Sequence, residues 1–212
     1  MLRRISTDQP NSFQFSKENL LWAKKQLKKY PKGRQASAVI PLLWRAQEQE
    51  GWVSKPAIEF IADFLGMAPV RVLEVASFYF MFHLKPVGSQ AHFQVCGTTP
   101  CMLRGSEELL KVCKKRISET PLTVSENGAF SWEEVECLGG CANAPVVQIG
   151  KDYYEDLDQI SFNDLIDKID DGKSINPGSF INRFSSEPAS KTKKLSKVKF
   201  SNENASVEKF EG

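Results

Sequence analysis

Four of the five cysteines form two close pairs, and this spacing limits what the chain can fold into more than any other feature. Cys96 and Cys101 enclose four residues, Cys137 and Cys141 enclose three, and 35 residues lie between the pairs. Two pairs on two loops can supply four thiolates to one small inorganic site, two for each metal of a binuclear iron–sulfur cluster. The fold must therefore bring two loops together, and the pattern indicates an electron carrier rather than a hydrolase.

Three alternative kinds of site could use the same cysteines. A structural zinc ion also accepts four thiolates at these spacings, so spacing alone leaves zinc open. Thiol–disulfide catalysts favour a CxxC motif, which the chain lacks. A Rieske cluster requires two histidine ligands, and the only histidines, His83 and His92, lie outside the cysteine loops. Zinc is the alternative that stays open at this point.

The composition restricts the function classes. Of the 212 residues, 41% are hydrophobic and 25% are charged, which is typical of a soluble globular protein with room for two domains. No apolar run approaches the roughly 18 residues needed to cross a bilayer, so we expect no direct membrane insertion. A net charge of +2, with lysines spread along helices, argues against a nucleic-acid partner. The N-terminal segment resembles neither a secretory signal nor a transit peptide, so we expect the reducing cytoplasm.

Apolar residues recur at helical spacing four times in the first part of the chain. The predicted helices cover residues 15–30, 35–50, 54–65 and 69–82, and Pro41 is expected to disturb the first turn of the second helix. Residues 1–88 are therefore predicted to form an N-terminal helical bundle. Its aromatic end, 78–82, is expected to pack in a core or between domains, with a docking surface as the alternative.

From residue 91 onward the pattern changes to short strands. Strands are predicted at 92–95, running directly into Cys96, and at 122–125, 130–136 and 146–149, and helices at 106–117 and 162–169. Asn127-Gly128 is the strongest hairpin-turn signal. Each cysteine pair begins where a predicted strand ends. This order resembles a thioredoxin-like α/β sandwich over 89–177, which makes the chain α+β overall.

The remaining segments carry weaker signals. Residues 178–212 are rich in Ser, Lys, Asn and Glu and are predicted to be a flexible polar tail. Cys113 lies on a predicted helical face with leucines, so we expect a buried side chain rather than a ligand. His92 is expected to be an ordinary, partly buried histidine, with a hydrogen bond to the surroundings of the cluster as the alternative. No nucleophile, phosphate-binding or dinucleotide motif is present, so we expect no catalytic residue and no cofactor contact beyond the cluster ligands.

Three cysteine-bearing or neighbouring segments resemble a known family. They are VCGTTPCMLRGSEEL (95–109), ECLGGCANAPVVQI (136–149) and YYEDL (153–157). They are similar to the E subunits of NADH-quinone oxidoreductase, the thioredoxin-like ferredoxin family of respiratory complex I. The resemblance continues upstream through 36–67 and 72–82 and spans about 15–172.

The resemblance implies a ligand set, a fold and partners. It implies that Cys96, Cys101, Cys137 and Cys141 hold one [2Fe-2S] cluster, in a helical bundle followed by a thioredoxin-like [2Fe-2S] ferredoxin domain. It also implies that FMN and NADH are bound by a partner flavoprotein subunit of complex I, among other peripheral-arm subunits. A physical reason agrees, because a hydride carries two electrons whereas one binuclear cluster accepts one.

The sequence thus predicts an electron-transfer subunit of an NADH:quinone oxidoreductase that exchanges single electrons with the flavin of its partner. We expect it on the cytoplasmic face of a bacterial plasma membrane, with the mitochondrial matrix as the alternative. Related subunits of soluble NAD-linked hydrogenases and formate dehydrogenases would keep the cluster within another complex. A zinc-stabilised interaction module is the alternative from a different class.

Overall fold

A computed structural model describes residues 3–189. The first half of this part of the chain forms four α-helices. They are α1 (Lys17–Leu27), α2 (Val39–Glu50), α3 (Lys55–Leu65) and α4 (Pro69–Phe78). Ser16 and Ser54 cap α1 and α3, since each hydroxyl accepts a backbone N–H three residues later. The four predicted helices are therefore present, with shorter ends than the pattern indicated.

Two details of the bundle differ from what periodicity alone predicts. A 3₁₀ turn, Gln35–Ala38, precedes α2, and Pro41 falls in the first turn of that helix, where proline is tolerated. Helix α4 ends at Phe78 instead of residue 82, because Tyr79 adopts an extended backbone with φ −84° and ψ 119°. The aromatic segment after α4 is thus a loop.

The apolar faces of the four helices meet in one buried cluster. The cluster contains Phe13, Phe15, Ala23, Ala38, Val39, Leu42, Leu43, Ala46, Val53, Ala57, Ile58, Ile61, Ala62, Val72, Ala76, Phe82 and Leu84. Phe13 and Phe15 pack edge to face on each other and on Phe60. The segment before α1 therefore completes the core of the bundle.

The second half of the described chain forms a mixed five-stranded sheet with three helices. The strands are β1 (Ala91–Cys96), β2 (Phe130–Val135), β3 (Val146–Ile149), β4 (Asp152–Glu155) and β5 (Gly178–Ser179). The helices are α5 (Thr99–Leu103), α6 (Ser106–Arg116) and α7 (Gln159–Asp170). The strand order is β2-β1-β3-β4-β5.

Pairing within the sheet fixes the positions of the strand ends. Strands β1 and β2 are parallel, with Phe93 opposite Trp132, and β1 and β3 are antiparallel, with Val95 opposite Val147. Helices α6 and α7 contact each other, and α6 also contacts β1. The C-terminal ends of β1 and β2 and the start of β3 consequently lie at one edge of the sheet.

The sheet corrects several sequence predictions. Residues 122–125 are not a strand, since Leu122 has a left-handed backbone with φ 59°, although its N–H donates to the Trp132 carbonyl at 2.8 Å. The turn at Asn127-Gly128 is present, with Gly128 at φ +75°. Helix α5 and strands β4 and β5 are additional to the predicted elements. The α+β class and the thioredoxin-like arrangement are confirmed.

The predicted tail begins too early. Strand β5 pairs in parallel with β4, with Tyr154 opposite Gly178, so the sheet extends beyond the predicted boundary after residue 177. Arg183 forms an ion pair with Asp156, and both side chains are largely buried, at 11% and 2% exposed. Residues 190–212 of the predicted tail lie outside the described part of the chain.

None of the helices within residues 3–189 combines the length and the apolar character required to span a membrane.

Candidate metal centre

The four paired cysteines lie together at the edge of the sheet where β1 and β2 end. Cys96 is the last residue of β1, and Cys101 lies in α5, the short helix that follows. Cys137 comes two residues after β2, and Cys141 opens a 3₁₀ turn that leads into β3. Because these strand ends share one edge, two loops that are distant in sequence bring the four cysteines to the same side of the sheet.

Distances and burial divide the cysteines into an inner and an outer pair. The Sγ atoms of Cys137 and Cys141 are 3.4 Å apart, and both residues are exposed. Cys96 and Cys101 are each 1% exposed, and each thiol shifts the pKa of the other. The site therefore reaches from the protein interior to the surface.

Apolar side chains and one hydrogen bond surround the inner pair, Cys96 and Cys101. Ala144 and Val146 pack with Cys96 and Cys101, and Leu138 and Tyr153 flank them. The Tyr153 hydroxyl donates to the Leu138 carbonyl at 2.9 Å, which holds the second cysteine loop against β4. Exclusion of water on this side favours a bound inorganic group over free, hydrated thiolates.

Hydrogen bonds lower the pKa of one thiol in each pair. Burial alone would raise the pKa of Cys96, but hydrogen bonds from Thr98 and from the Leu138 backbone bring it below its usual value. The Gly139 N–H, 3.4 Å from Cys137 Sγ, is the main cause of the lowered pKa of Cys137.

The partner thiols behave oppositely. Burial and the hydrogen bond with Cys96 raise the pKa of Cys101 to about 12, and the hydrogen bond with Cys137 is the main cause of the raised pKa of Cys141. In each pair, one thiol therefore ionises readily. A cation bound there would displace the proton of the other thiol.

The second loop is fixed by contacts on the side away from the sulfurs. Asn143 Nδ2 donates to Glu155 Oε2 at 2.6 Å and to the Ser185 carbonyl at 2.7 Å. The Asp156 N–H donates to the Asn143 carbonyl at 2.8 Å. The segment after β5 therefore braces the turn that carries Cys141, a connection that no local sequence pattern reveals.

The four sulfurs form two close pairs, one on each loop. Each pair can hold one iron of a binuclear cluster, and four thiolates can also hold one tetrahedral zinc ion, so the ligand chemistry admits both kinds of site. Gly140 leaves room beside Val146, because a Cβ at residue 140 would lie 3.0 Å from Cγ2 of that valine.

The other candidate residues lie away from this site. Cys113 belongs to α6 and is fully buried in the core, and burial raises the pKa of its thiol to about 12. His92 is 8% exposed and contacts Ser131 and Glu133. The sequence pattern does not reveal its grouping with His83 and Glu133, because these residues come from three separate segments.

A model of a protein family matches residues 23–170, and its description is "Thioredoxin-like [2Fe-2S] ferredoxin". The chain belongs to this family. The description names an iron–sulfur cluster, which agrees with the sulfur-rich edge of the sheet.

Curated relatives place the chain more narrowly. It is 58% identical over 191 residues to the E 1 subunit of NADH-quinone oxidoreductase from Rhizobium meliloti, a match that covers 88% of this chain and 70% of the relative. It is 50% identical over 159 residues to the E subunit of NADH-quinone oxidoreductase from Rickettsia conorii, covering 74% of this chain and 95% of the relative. Within the ferredoxin family, the chain therefore belongs with these E subunits.

Similarity to solved structures supports the fold of this chain and carries no information on its function. An NAD+-reducing [NiFe]-hydrogenase in the H2-reduced state shares 16% sequence identity at a TM-score of 0.55, over 63% of this chain. The air-oxidised form of that enzyme gives a TM-score of 0.54. The chain spans about a fifth of the length of these hydrogenase chains, with 22% and 23% covered.

Proposed function

We propose that this chain is the electron-transfer subunit of the NADH-oxidising part of an NADH:quinone oxidoreductase. It carries one [2Fe-2S] cluster on Cys96, Cys101, Cys137 and Cys141, and it exchanges single electrons with the FMN of a partner flavoprotein. The observation that carries the proposal is that two cysteine pairs lie at one edge of the sheet, where β1 and β2 end and β3 begins. The identity to curated E subunits supports the choice of complex.

The bound cluster would supply reversible one-electron transfer. Residues of this chain prepare the site for it. The Thr98 hydroxyl lies 3.2 Å from Cys96 Sγ and the Gly139 N–H points at Cys137 Sγ, and hydrogen bonds to sulfur stabilise negative charge there. The chain contributes sulfur ligands and polar contacts, and the hydride chemistry belongs to the partner's flavin.

The outer cysteine pair marks the side on which a redox partner would approach. Cys137 and Cys141 are exposed, whereas Cys96 and Cys101 are covered by protein. Leu103, two residues after Cys101, is 76% exposed. Met102, beside it, is 44% exposed, and adjacent exposed apolar side chains next to the cysteines favour coverage by another subunit. We place the flavoprotein on this face, on the cytoplasmic side of the plasma membrane or in the mitochondrial matrix.

Spectroscopy of the anaerobically purified chain tests the cluster. About two irons and two acid-labile sulfides per chain, with a binuclear EPR signal after dithionite, are expected. Cys96→Ser and Cys137→Ser should each disturb that signal, and Cys113→Ser is the matched control that should not. A protein that retains zinc without iron, or a signal unchanged in both ligand variants, would contradict the proposal and favour a zinc-stabilised module.

Purification from cells tests the complex. A tagged chain should bring down a flavoprotein together with quinone-reducing membrane subunits. Recovery with a hydrogenase or a formate-oxidising subunit would instead indicate a soluble NAD-linked enzyme, the alternative that the shared fold of the hydrogenase chains motivates. Leu103→Ser should weaken recovery of the flavoprotein and leave the EPR signal of the chain intact.

A further inference from the structure

A second group of metal-binding side chains lies where the helical bundle meets the sheet. His83 follows α4 and its loop, His92 lies on β1, and Glu133 lies on the neighbouring strand β2. One ligand atom from each of the three lies within 4.8 Å of the other two. Among residues 3–189 this is the one group of three His, Cys, Asp or Glu side chains that converges in this way.

The group is enclosed rather than spread over a surface. The side chains of His92 and Glu133 are 7% and 20% exposed. The rings of His83 and His92 meet edge to face with their centroids 4.6 Å apart. The hydrogen bonds of His83 within the described part of the chain use its backbone: its N–H donates to Gln47 Oε1 at 2.6 Å, and its carbonyl accepts the Val53 N–H at 2.8 Å. Its ring nitrogens are therefore available as ligands.

Contacts around His92 orient its ring toward Glu133. Its Nε2 lies 3.2 Å from Glu133 Oε1, and its Nδ1 lies 2.7 Å from Ser131 Oγ. The Ser131 oxygen also accepts the Gly88 N–H at 2.7 Å. A hydroxyl can both donate and accept, so it can hold Nδ1 in the tautomer that leaves Nε2 free to bind a metal.

We propose that His83, His92 and Glu133 form a second, mononuclear site for a divalent transition metal of the zinc class. Two imidazole nitrogens and one carboxylate oxygen are a zinc-type ligand set with a fourth position for water. Tetrahedral bonds of about 2.0–2.1 Å place ligand atoms roughly 3.3 Å apart. The 3.2 Å between His92 Nε2 and Glu133 Oε1 already matches, and the widest separation of 4.8 Å has to close by about 1.5 Å.

Metal at this site would join the two halves of the molecule. His83 belongs to the segment that packs on the bundle, where its carbonyl accepts the Val53 N–H at 2.8 Å. His92 and Glu133 belong to the sheet that carries the cysteines. A single ion would therefore link the bundle to β1, which ends at Cys96, and to β2, which ends two residues before Cys137.

Arg3 places a positive charge beside the site. Its guanidinium donates to the carbonyls of Tyr79 and Phe82, and its charge interacts with Glu133 and His83. A neighbouring cation opposes metal binding. Replacement of Arg3 by glutamine should therefore increase the metal affinity, by at least about three-fold.

The test is a Co²⁺ titration of the cluster-loaded, oxidised full-length chain under anaerobic conditions. The oxidised binuclear cluster is EPR-silent and high-spin Co²⁺ is EPR-active, so the EPR signal of one Co²⁺ per chain, with the visible absorbance of the cluster unchanged, identifies a site apart from the cysteines. His83→Asn and Glu133→Gln should each weaken binding about 100-fold, since loss of a ligand exceeds the roughly 10- to 100-fold effect of outer contacts. Glu134→Gln, on the next residue of the same strand, is the matched control.

Binding lost in both ligand variants, kept in Glu134→Gln and tightened in Arg3→Gln supports the site, provided circular dichroism shows all four proteins folded. Two results would overturn it: a wild-type chain that takes up no Co²⁺ outside the cysteines, or ligand variants that bind Co²⁺ as tightly as the wild type. Either result would leave His92 and Glu133 as a structural hydrogen-bonded pair.

Discussion

Removal of the Arg183 charge should destabilise the sheet and the turn that carries Cys141. Arg183 donates through Nε to Asp156 Oδ2 at 2.9 Å and through a second nitrogen to Oδ1, while Ser179 Oγ donates to Oδ2 at 2.6 Å. The Asp156 side chain is 2% exposed, so an Arg183→Met substitution leaves a buried carboxylate without its ionic partner. Removing one partner of a buried pair costs about 3–5 kcal/mol, and we expect about 3 kcal/mol here, at the edge of the sheet.

The assay is urea unfolding monitored by tryptophan fluorescence and circular dichroism. Trp132 is 1% exposed and donates to the Ser118 carbonyl at 2.8 Å, so it reports on the sheet. Asp156→Asn combined with Arg183→Met removes both charges. The double variant should be more stable than the sum of the two single effects indicates, with a coupling of at least about 1.5 kcal/mol.

The pH dependence provides an independent check. Burial would raise the pKa of Asp156, but hydrogen bonds from Arg183 and Ser179 and the Arg183 charge hold it below its usual value. The pair therefore stabilises the protein above the unfolded pKa of about 3.9, and this stability is lost as the pH falls through the lower folded pKa. In Arg183→Met the carboxyl is buried without its partner, so the difference from wild type should shrink on acidification below about pH 4.

Two results would refute this reasoning. The first is a loss of less than about 1 kcal/mol in Arg183→Met at pH 7, since that is within the range of an exposed ion pair. The second is simple additivity of the two single substitutions, which would mean that the side chains do not act together.

Three further predictions concern the fold. Gly88→Ala should lower the free energy of unfolding in urea by more than about 2 kcal/mol, because a Cβ at residue 88 would lie 2.4 Å from the Phe130 carbonyl carbon. Ser89→Ala, at the exposed neighbouring residue, is the control and should change that free energy little. Phe82→Ala should lower the free energy of unfolding by about 3–5 kcal/mol in the same assay, since Phe82 is fully buried. Phe78→Ala, at a side chain that is 72% exposed, should change it by less than about 1 kcal/mol. Similar losses in the two variants would contradict a buried Phe82 and an exposed Phe78. Asp158→Ala should cost about 1 kcal/mol in thermal unfolding, because Asp158 Oδ1 accepts the Ser161 N–H at 2.7 Å and caps α7; an Asp158→Asn variant should recover most of that loss.

The aromatic segment 78–82 shows how far residue type alone predicts burial. Burial in a core or between domains is the outcome that the sequence predicts, and Phe82 confirms it. For Phe78 and Phe80 the expectation is wrong within this chain, since they are 72% and 74% exposed. The extended backbone at Tyr79 separates the two outcomes, because a continued helix would have directed the rings by helical spacing.

The strands that the sequence pattern does not predict have a similar cause. Strand β4 follows β3 through Gly150-Lys151, and each strand has four residues, too few for a clear alternation of apolar and polar residues. Strand β5 has two residues and depends on β4 for its pairing. Conversely, residues 122–125 alternate like a strand, but the left-handed backbone of Leu122 interrupts the ladder. Short segments adopt the conformation that their neighbours in space allow.

The sequence by itself determined the features that depend on local spacing. Helical periodicity located the four helices of the bundle, and strand patterning located each cysteine pair directly after a strand. The parallel pairing of β1 with β2, which puts both pairs at one edge of the sheet, came from the tertiary structure. Only the tertiary structure decided which distant side chains meet. It separated an inner from an outer cysteine pair, joined Arg183 to Asp156, and brought His83, His92 and Glu133 together. Periodicity describes one face of one element, whereas these contacts depend on how several elements pack, which no local pattern encodes.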